Sequence, residues 1–251
     1  MCNFYGHKVT KMDFIQLQDI ELQLGTYAAM QHLQELISGF AYGNAPVIRK
    51  NEQGGLEVVS MHWEFIPFWI KTMDAVHNAR KQGIPWLNAT SEKLLESKMF
   101  RNAALNRRCL VPASHFFEWR SYKPVSAKKE IKYPYCIEVK NKDYFFMAGI
   151  WQPFADTETG ETMDSFAIVT TKANALMEQV HNSKKRMPVI LPDELALKWL
   201  DNQLTEDEIK EMSAYQFPAT EMKAYSISKN FKIADEPLMA YQYEELPDLK
   251  I

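Results

Sequence analysis

The sequence predicts an α+β fold, namely a β-rich single domain with a largely antiparallel, barrel-like sheet and flanking helices. Runs of β-branched and aromatic residues, which favour strands, dominate the middle of the chain. Helical patterns are fewer and do not alternate with the strands as they do in a parallel α/β protein. The 251 residues contain no internal repeat and no linker rich in Pro, Gly or Ser, so we expect one core.

The predicted strands follow one another closely. They cover residues 56–62, 109–119, 133–139, 144–151 and 165–171. A polar stretch at 156–162, which contains Gly160, separates the last two and is typical of the turn of a β-hairpin. Since a hairpin joins antiparallel neighbours, this turn favours the antiparallel sheet.

Four segments are predicted to be helical: 91–100, 173–180, 193–200 and one that begins at residue 205. The first two place apolar side chains three or four positions apart, on one face. Asp193 is expected to cap the third helix, because its carboxylate can accept from free N–H groups of the first turn. Thr205 is expected to begin the fourth, with Glu208 at the capping-box position.

Charge is distributed unevenly along the chain, although the formal total is only −3. Basic residues cluster at 93–108 and 184–186, and acidic residues cluster at 201–211 and 235–248. A basic face opposite an acidic C-terminal region fits this pattern, and a mixed solvated surface is the alternative. We expect residues 2–230 to form the domain and residues 231–251 an acidic segment, either a packed arm or partly disordered.

The composition excludes several classes of protein. No run approaches the roughly 18 apolar residues of a membrane span, and no apolar leader typical of a secreted protein begins the chain. Three widely spaced cysteines form neither a disulfide framework nor a zinc-binding pattern. We therefore expect a cytoplasmic protein that binds no metal and needs no cofactor.

Cys2 differs from the other two cysteines. Cys109 and Cys136 lie in apolar runs and are expected to be buried, inert thiols. A small second residue lets an aminopeptidase remove Met1, which would leave Cys2 with a free α-amine beside its thiol. Both groups titrate near neutral pH and both are nucleophiles, so together they can condense with an aldehyde to a five-membered thiazolidine. The alternative is that Cys2 is an incidental neighbour of the start methionine.

Glu118 and His181 are candidates for proton transfer. Glu118 ends an apolar strand, where aromatic neighbours would desolvate the carboxylate and raise its pKa towards that of an acid–base catalyst. His181 follows a predicted helix in a polar loop, from which a histidine can carry protons near pH 7. A solvated glutamate and a surface histidine are the alternatives. His115 is expected to be structural, since three residues along a strand separate it from the face of Glu118.

Further residues are candidates for binding. Asn88 precedes a predicted helix and is either a turn residue or a ligand contact. The aromatic and basic candidates, whose side chains can stack on bases and contact phosphates, are Trp69, Trp119, Arg101 and Arg186. Aromatic residues at such spacings are, alternatively, part of a core.

A series of sequence blocks gives these residues a common context. In order they are Met1-Cys2, Trp63-x-x-Ile66-Pro67-x-Trp69, Leu87-Asn88-Ala89-x-x-Glu92, Arg108-Cys109-Leu-Val-Pro-Ala-x-x-Phe116-Phe117-Glu118-Trp119, Ala148-Gly149-Ile150-Trp151, Phe166-Ala-Ile-Val-Thr170-Thr171-x-Ala173-Asn174, and His181 before Arg186-Met187-Pro188-Val189-Ile190-Leu191. This order closely resembles the abasic-site processing family, also called SOS-response-associated peptidases, over residues 2–230. The β-rich α+β fold of that family agrees with the fold predicted from the residues.

The resemblance implies an enzyme that captures abasic sites in single-stranded DNA as a covalent crosslink, by lyase-type chemistry, during the DNA damage response. It implies that Cys2 forms a thiazolidine with the ring-opened sugar and that Asn88 orients the lesion. Glu118 would be the active-site acid, and His181 would assist opening of the sugar ring and reversal of the crosslink. Peptidase activity would be limited to N-terminal processing.

The resemblance also implies a DNA-binding surface. Trp69, Trp119 and Arg186 match positions that line it, and Arg101 remains a candidate from its own charge and position. The expected partner is single-stranded DNA that contains abasic sites, bound by a monomer that does not associate with a membrane. In a prokaryotic cell we expect the protein to associate with the nucleoid.

The sequence departs from the usual family pattern at three places. The family usually begins Met-Cys-Gly-Arg, whereas Asn3 and Phe4 follow Cys2 here. The usual Asn-Ala-Arg is Asn-Ala-Thr90, so a second positive charge is missing. The usual His-x-Arg-Met-Pro is lengthened by Lys184 and its neighbours, which we expect to restore part of the charge. These changes affect expected DNA affinity and its salt dependence more than the chemistry.

Two other functions remain open from the sequence. An N-terminal-nucleophile hydrolase or cysteine peptidase would use Cys2, His181 and either Asn88 or Glu118 for acyl transfer. Such an enzyme needs an oxyanion hole, and no Gly-rich loop near Cys2 in the sequence offers one. A non-catalytic module would bind intact and abasic strands equally, without a covalent product.

Overall fold

The computed structural model describes residues 2–8, 14–17, 20–23 and 34–250. Numbered in chain order, the strands of these residues are β1 (Phe4–Gly6), β2 (Phe14–Leu17), β3 (Ile20–Gln23), β4 (Ile37–Ser38), β5 (Asn44–Lys50), β6 (Leu56–Trp63), β7 (Asn88–Thr90), β8 (Arg108–Ala113), β9 (His115–Tyr122), β10 (Ile131–Val139), β11 (Phe145–Ala155), β12 (Thr162–Lys172), β13 (Arg186–Pro188), β14 (Ile190–Leu191) and β15 (Met222–Ser226). The helices are α1 (Met73–Lys81), α2 (Arg101–Asn106), α3 (Ala175–Val180), α4 (Asp193–Trp199) and α5 (Glu206–Ser213).

Five strands close into a barrel. β5 and β6 form a hairpin, β8 pairs with β5, β11 with β8, and β12 with β11, all antiparallel. The ring closes where β12 runs parallel to β6, with Ser165 opposite His62. The predicted turn at 156–162 joins β11 to β12, and Gly160 adopts a positive φ there. The predicted β-rich α+β fold with a largely antiparallel, barrel-like sheet is confirmed.

A second sheet lies against the barrel and carries the N-terminus of the domain. Its order is β15-β10-β9-β1-β4, and every pairing is antiparallel. Side chains alternate along β9: Phe116 joins the large core shared with the barrel, whereas Phe117 stacks on Phe231 at the opposite face. The same alternation turns Glu118 inward and Trp119 outward.

Two predicted elements differ from the structure. The single strand predicted at 109–119 is two strands, because the chain breaks at Ser114 and passes from the barrel into the second sheet. The Ser114 N–H donates to the Gly6 carbonyl at this change of sheet. The helix predicted at 91–100 is wrong: a 3-10 turn and irregular turns occupy it, and α2 begins only at Arg101. The Ser97 hydroxyl accepts from the Met99 N–H, a local bond that competes with helix formation.

Of the two helix caps predicted from the sequence, that of α5 is confirmed and that of α4 is wrong. Asn174 caps α3 with its side chain, and Thr205 and Glu208 form the predicted capping box of α5. The N-cap predicted for Asp193 is wrong, because Pro192 takes that position and Asp193 begins α4, where its carboxylate pairs with Lys142. In the described part of the chain, no helix is long and apolar enough to cross a membrane.

Arg108 is a core residue, although the sequence groups it with a basic cluster. It is 4% exposed, and its guanidinium donates to the carbonyls of Ala104, Leu105, Trp199 and Asp201. Ala104, Leu105 and Trp199 lie in the last turns of α2 and α4, where carbonyls have no donor within the helix, and Asp201 follows α4. Arg108 therefore fastens two helices to the barrel and contributes nothing to a basic surface.

We expect Arg108→Met to lower the free energy of unfolding by about 3 kcal/mol, because several buried carbonyls lose a charged donor at once. Urea titration followed by tryptophan fluorescence measures this loss. Arg101→Met is the matched control, since Arg101 pairs with Glu206 at the surface and should cost less than about 1 kcal/mol. Equal losses for the two variants would contradict the structural role assigned to Arg108.

The C-terminal segment packs along the second sheet. Tyr243, Leu246 and Leu249 contact the large core, and the hydroxyl of Tyr133 donates to Glu245 at 2.8 Å. Close to its end, the Gln179 amide exchanges two hydrogen bonds with the backbone of Lys250, at 2.7 and 2.8 Å. The segment thus reaches α3, the helix that precedes His181.

Candidate active site

Cys2 lies two residues before β1, beside β9, the strand that carries Glu118. Tyr5 of β1 pairs with Phe116 of β9 in antiparallel register, so the residues before Tyr5 run along β9 towards Glu118. The Cys2 side chain is fully buried, and its thiol contacts the Phe4 carbonyl at 3.8 Å. Burial raises the pKa of this thiol well above its usual range, and the nearby charge of Glu118 raises it further.

Glu118 and His181 form a buried pair beside Cys2. The Nε2 atom of His181 lies 3.7 Å from a carboxylate oxygen of Glu118, and the two side chains are 7% and 4% exposed. They come from separate elements: Glu118 from the middle of β9, and His181 from the position that ends α3. The packing of α3 against β9 therefore creates the pair.

Burial shifts both proton affinities of the pair. Desolvation raises the pKa of Glu118 to about 7 and lowers the pKa of His181 to about 4. Between these values, Glu118 carries a proton and His181 is neutral. The site therefore holds a carboxylic acid next to a neutral imidazole at mildly acidic to neutral pH, which suits proton transfer in both directions.

A hydrogen bond fixes the orientation of the imidazole. The Nδ1 atom of His181 lies 2.8 Å from the Arg186 carbonyl, which can only accept. Nδ1 therefore carries the proton, and Nε2 turns its lone pair towards Glu118. The Arg186 guanidinium itself donates to Glu92 and to the Thr170 carbonyl, both at 2.6 Å, so its charge is partly neutralised at the edge of the site.

Asn88 reaches the same end of β1. It begins β7, which pairs in parallel with β12, and its amide nitrogen donates to the Asn3 side-chain oxygen at 2.9 Å. The other amide atom, Oδ1, is buried and has no hydrogen-bond partner within the described residues. This oxygen lies near Cys2 and can accept a hydrogen bond from a substrate hydroxyl or N–H group.

Comparison with known proteins identifies the family of the chain. The sequence model of the family described as SOS response associated peptidase (SRAP) matches residues 1–233. The chain belongs to the SRAP family. The abasic site processing protein YoqW of Bacillus subtilis is 32% identical over 178 residues, which cover 71% of this chain and 72% of that protein. The abasic site processing protein YedK of Escherichia coli is 24% identical, over 91% of this chain and 93% of its own length.

Solved structures share the SRAP fold. A crystal structure of a protein from Bacteroides thetaiotaomicron superimposes with a TM-score of 0.77 at 29% identity, over 95% of this chain and 97% of that one. A protein from Bordetella bronchiseptica gives a TM-score of 0.69 at 21% identity, over 90% of this chain and all of that one.

The structure brings most of the predicted site residues of this SRAP domain together, but not all. Cys2, Asn88, Glu118, His181 and Arg186 are connected as described, and Trp119 follows Glu118. Trp69 is 49% exposed in the loop after β6 and contacts Phe68. Arg101 bonds to the Leu95 carbonyl and to Glu206. Among the described residues, neither contacts the Glu118–His181 pair through a hydrogen bond, an ion pair or a ring.

The loop after His181 places a cation near the Glu118–His181 pair. The Asn182 side chain exchanges two hydrogen bonds with the backbone of Ser121, which ties the loop to the end of β9. Lys184 is exposed, and its charge lowers the pKa of both Glu118 and His181, although less than burial shifts them. This lysine therefore acts on the pair electrostatically.

Three neighbours of the site were not among the site residues predicted from the sequence. Asn3 bonds to Asn88, Glu92 neutralises Arg186, and Lys232 lies above the Phe4 ring. Lys232 is separated from Phe4 by almost the whole chain, so no spacing rule could connect them. Only the pairing of β1 with β9 and the stacking of Phe231 on Phe117 bring them into one place.

Proposed function

We propose that this protein captures abasic sites in single-stranded DNA as a covalent thiazolidine through Cys2, after removal of Met1, and thereby shields the lesion during the DNA damage response. The observation that carries the proposal is the buried Glu118–His181 pair next to Cys2. The names of relatives that match most of this chain, which are abasic site processing proteins, support it.

The proposed reaction begins with the sugar of the abasic site. This sugar is mainly a cyclic hemiacetal, and its ring oxygen must regain a proton when the ring opens to the aldehyde. Neutral His181 accepts the proton of the hemiacetal hydroxyl, and protonated Glu118 donates to the ring oxygen. The unusual pKa order of the pair, with the carboxyl above the imidazole, supports this assignment.

Two bonds then join Cys2 to the aldehyde carbon. The α-amine adds to the carbonyl, and Glu118 protonates the hydroxyl that leaves as water, which yields an imine. The thiolate adds to the imine carbon, and the nitrogen takes up the thiol proton. In sum, an aldehyde and an aminothiol give a thiazolidine and one water. Met1 must be removed first, because an amine within a peptide bond is not nucleophilic.

Binding of the strand is assigned to the residues around this centre. Asn88 orients the sugar through its free oxygen, Trp119 contacts a base, and Arg186 binds a phosphate that displaces Glu92. Trp69 and Arg101, which lie further away, would contact a longer strand. No separate cofactor is assigned, and a monomer suffices.

Intact mass of the full protein, mixed with a single-stranded oligonucleotide that carries one abasic site, tests the proposal. We expect the mass of the protein without Met1 plus the oligonucleotide minus one water. An undamaged strand of the same sequence is the control and should give no adduct. Free processed protein beside the abasic strand would contradict the proposal, and turnover of peptide or amide substrates would then favour a hydrolase.

Lys184 should contribute to strand binding through its charge. We expect Lys184→Gln to reduce the slope of log Kd against log salt by about 0.7, as for one lost phosphate contact on a single strand. Fluorescence anisotropy in a salt series measures the slope. Lys185→Gln is the control: Lys185 lies 4.0 Å from Glu178, so its charge is already paired. The same slope change in both variants would show that only net charge matters.

A further inference from the structure

The last described residues, 241–250, lie across the second sheet, and we call them the C-terminal arm. They follow the part of the chain that the family model matches, which ends at residue 233. Half-buried side chains recur at every third position of the arm, at Tyr243, Leu246 and Leu249, and all three contact the large core. The arm is therefore docked on the domain along its length.

One part of the arm contacts β9, the strand that carries Glu118. Arg120 follows Glu118 by two residues, and its Nη1 atom donates to the Pro247 carbonyl at 2.5 Å. Tyr133 of β10 pairs with Arg120, and its hydroxyl donates to Glu245 at 2.8 Å. Because residues two apart in a strand share a face, the arm lies on the face of the sheet that bears Glu118.

The end of the arm contacts α3, the helix that leads to His181. The Gln179 amide donates to the Lys250 carbonyl at 2.7 Å and accepts from the Lys250 N–H at 2.8 Å. Gln179 precedes His181 by two residues. The arm residues that contact β9 and α3 are only three positions apart. They therefore bridge the two elements that supply the buried Glu118–His181 pair.

The geometry of the pair makes this bridge relevant to proton transfer. The Nε2 atom of His181 lies 3.7 Å from the Glu118 oxygen. This separation is about half an ångström beyond the usual limit of a hydrogen bond, so a small shift of α3 changes whether the two groups can exchange a proton directly. After His181, the Asn182 side chain ties the loop to Ser121 of β9. The arm supplies a second tie, on the helical side of His181.

We propose that the C-terminal arm is a positioning element, which fixes the separation of Glu118 and His181 by tying α3 to β9. Arg120 and Gln179 anchor the arm and are positioning residues, because they act through the pair and not on the sugar. Where this inference concerns reaction rates, it rests on the proposed function. Where it concerns the arrangement of the pair, it rests on the contacts of the arm alone.

The proton affinities of the pair report on this arrangement. Burial is the largest cause of both pKa shifts, to about 7 for Glu118 and to about 4 for His181. The charged groups that act most strongly on the pair are the amino terminus, Lys184 and Arg186, none of which belongs to the arm. Loss of the uncharged anchor Gln179 should therefore act by admitting water, which lowers the pKa of Glu118 and raises that of His181.

The first test is Gln179→Met in the full chain, which keeps the length of the side chain and removes both hydrogen bonds to the arm. With a saturating abasic strand, adduct formation should slow about tenfold, less than the roughly 10²-fold loss that a 1 Å misplacement can cause. The decline of the rate at alkaline pH should begin at lower pH, because the pKa of Glu118 falls. Gln152→Met is the matched control and should change neither quantity, since Gln152 accepts from Arg107 on the barrel strand β11.

A second variant removes the anchor on β9. Arg120→Met should slow adduct formation to a similar extent, whereas Arg120→Lys keeps one donor for Pro247 and should stay within about threefold of the wild type. A bridge that is cut at either end no longer joins β9 to α3. The variant with both Gln179→Met and Arg120→Met should therefore react no more slowly than the slower single variant. Losses that multiply would show two independent effects and would overturn the bridge.

Proton NMR titration of the imidazoles measures the pair without DNA, and the spectrum of His181→Gln assigns the His181 signal. That signal should titrate near pH 4 in the wild type and at higher pH in Gln179→Met. An unchanged rate, an unchanged pH profile or an unchanged His181 titration in Gln179→Met would overturn the positioning role. If the wild type forms no adduct, the titration alone decides: a shift as expected leaves the positioning role standing while the capture chemistry fails.

Discussion

Replacement of Cys2 by alanine is expected to reduce the stable adduct with an abasic strand to below detection. Alanine at position 2 still allows removal of Met1 and leaves an α-amine that can form an imine, but no thiol can close the ring. Cys2→Ser keeps a hydroxyl, whose addition product reverts more readily than a thiazolidine. For both variants, borohydride should trap the imine while heat without reductant should leave free protein. Denaturing gels with and without borohydride distinguish these outcomes.

Cys109→Ala and Cys136→Ala are the controls for this experiment. Both thiols are buried and lie within the chain, so neither has the neighbouring α-amine that closure of a thiazolidine requires. These variants should form as much adduct as the wild type. A heat-stable adduct of Cys2→Ala, formed without reductant, would show that another residue is the nucleophile.

Glu118→Gln is expected to slow adduct formation by about 10²–10⁴-fold, the usual contribution of a general acid. In the wild type, the free amine fraction rises towards pH 8 while protonated Glu118 declines above its pKa of about 7. The rate should therefore peak between these values. In Glu118→Gln the decline above pH 7 should disappear, because glutamine does not titrate. Quenched reactions across a pH series measure both profiles.

The same substitution should stabilise the fold at alkaline pH. The pKa of Glu118 is about 7 in the folded state and 4.5 in its ordinary range, so ionisation of the buried carboxyl opposes folding. The cost is absent below pH 4.5, grows as the pH rises, and reaches about 3 kcal/mol above pH 7. The free energy of unfolding of Glu118→Gln should exceed that of the wild type increasingly from pH 5 to pH 8.

Glu138→Gln provides a matched control, since Glu138 lies near the surface with Lys8 and Lys223. Glu138→Gln should change neither the rate of adduct formation nor the pH dependence of the free energy of unfolding. A slow Glu118→Gln variant whose stability difference is constant with pH would mean that the carboxyl is already ionised at pH 5. Glu118 would then be a hydrogen-bond acceptor, and another group would have to be the acid.

Local signals in the sequence predicted the sheet better than the turns. Continuous runs of apolar and aromatic residues around Val111 and Ile137 indicate strands, and such runs are expected where both faces of a strand are covered. Helix α1 escaped prediction because its exposed faces dilute the apolar pattern, with Val76 as its buried residue. The break at Ser114 could not be predicted either, since it depends on pairing with Gly6, which is distant in sequence.

The candidate site could be predicted as a set of residue types but not as an arrangement. Glu118 and His181 carry plausible chemistry in their own segments, yet their 3.7 Å separation depends on how α3 packs on β9. The neutralisation of Arg186 by Glu92 is likewise a contact between β13 and the turn after β7. Contacts of this kind arise from tertiary packing, which a single sequence does not encode locally.

The central position of β1 has a consequence for the order of events during synthesis. Cys2 is fully buried in the folded chain, because β1 lies between β4 and β9, and β9 is encoded more than a hundred residues later. Until the ribosome has produced β9, β1 can pair only with the two-residue strand β4, so we expect the amino terminus to stay accessible. At about 5–20 residues per second this interval lasts roughly 6 to 25 s. We therefore expect the proposed removal of Met1 to take place on the nascent chain.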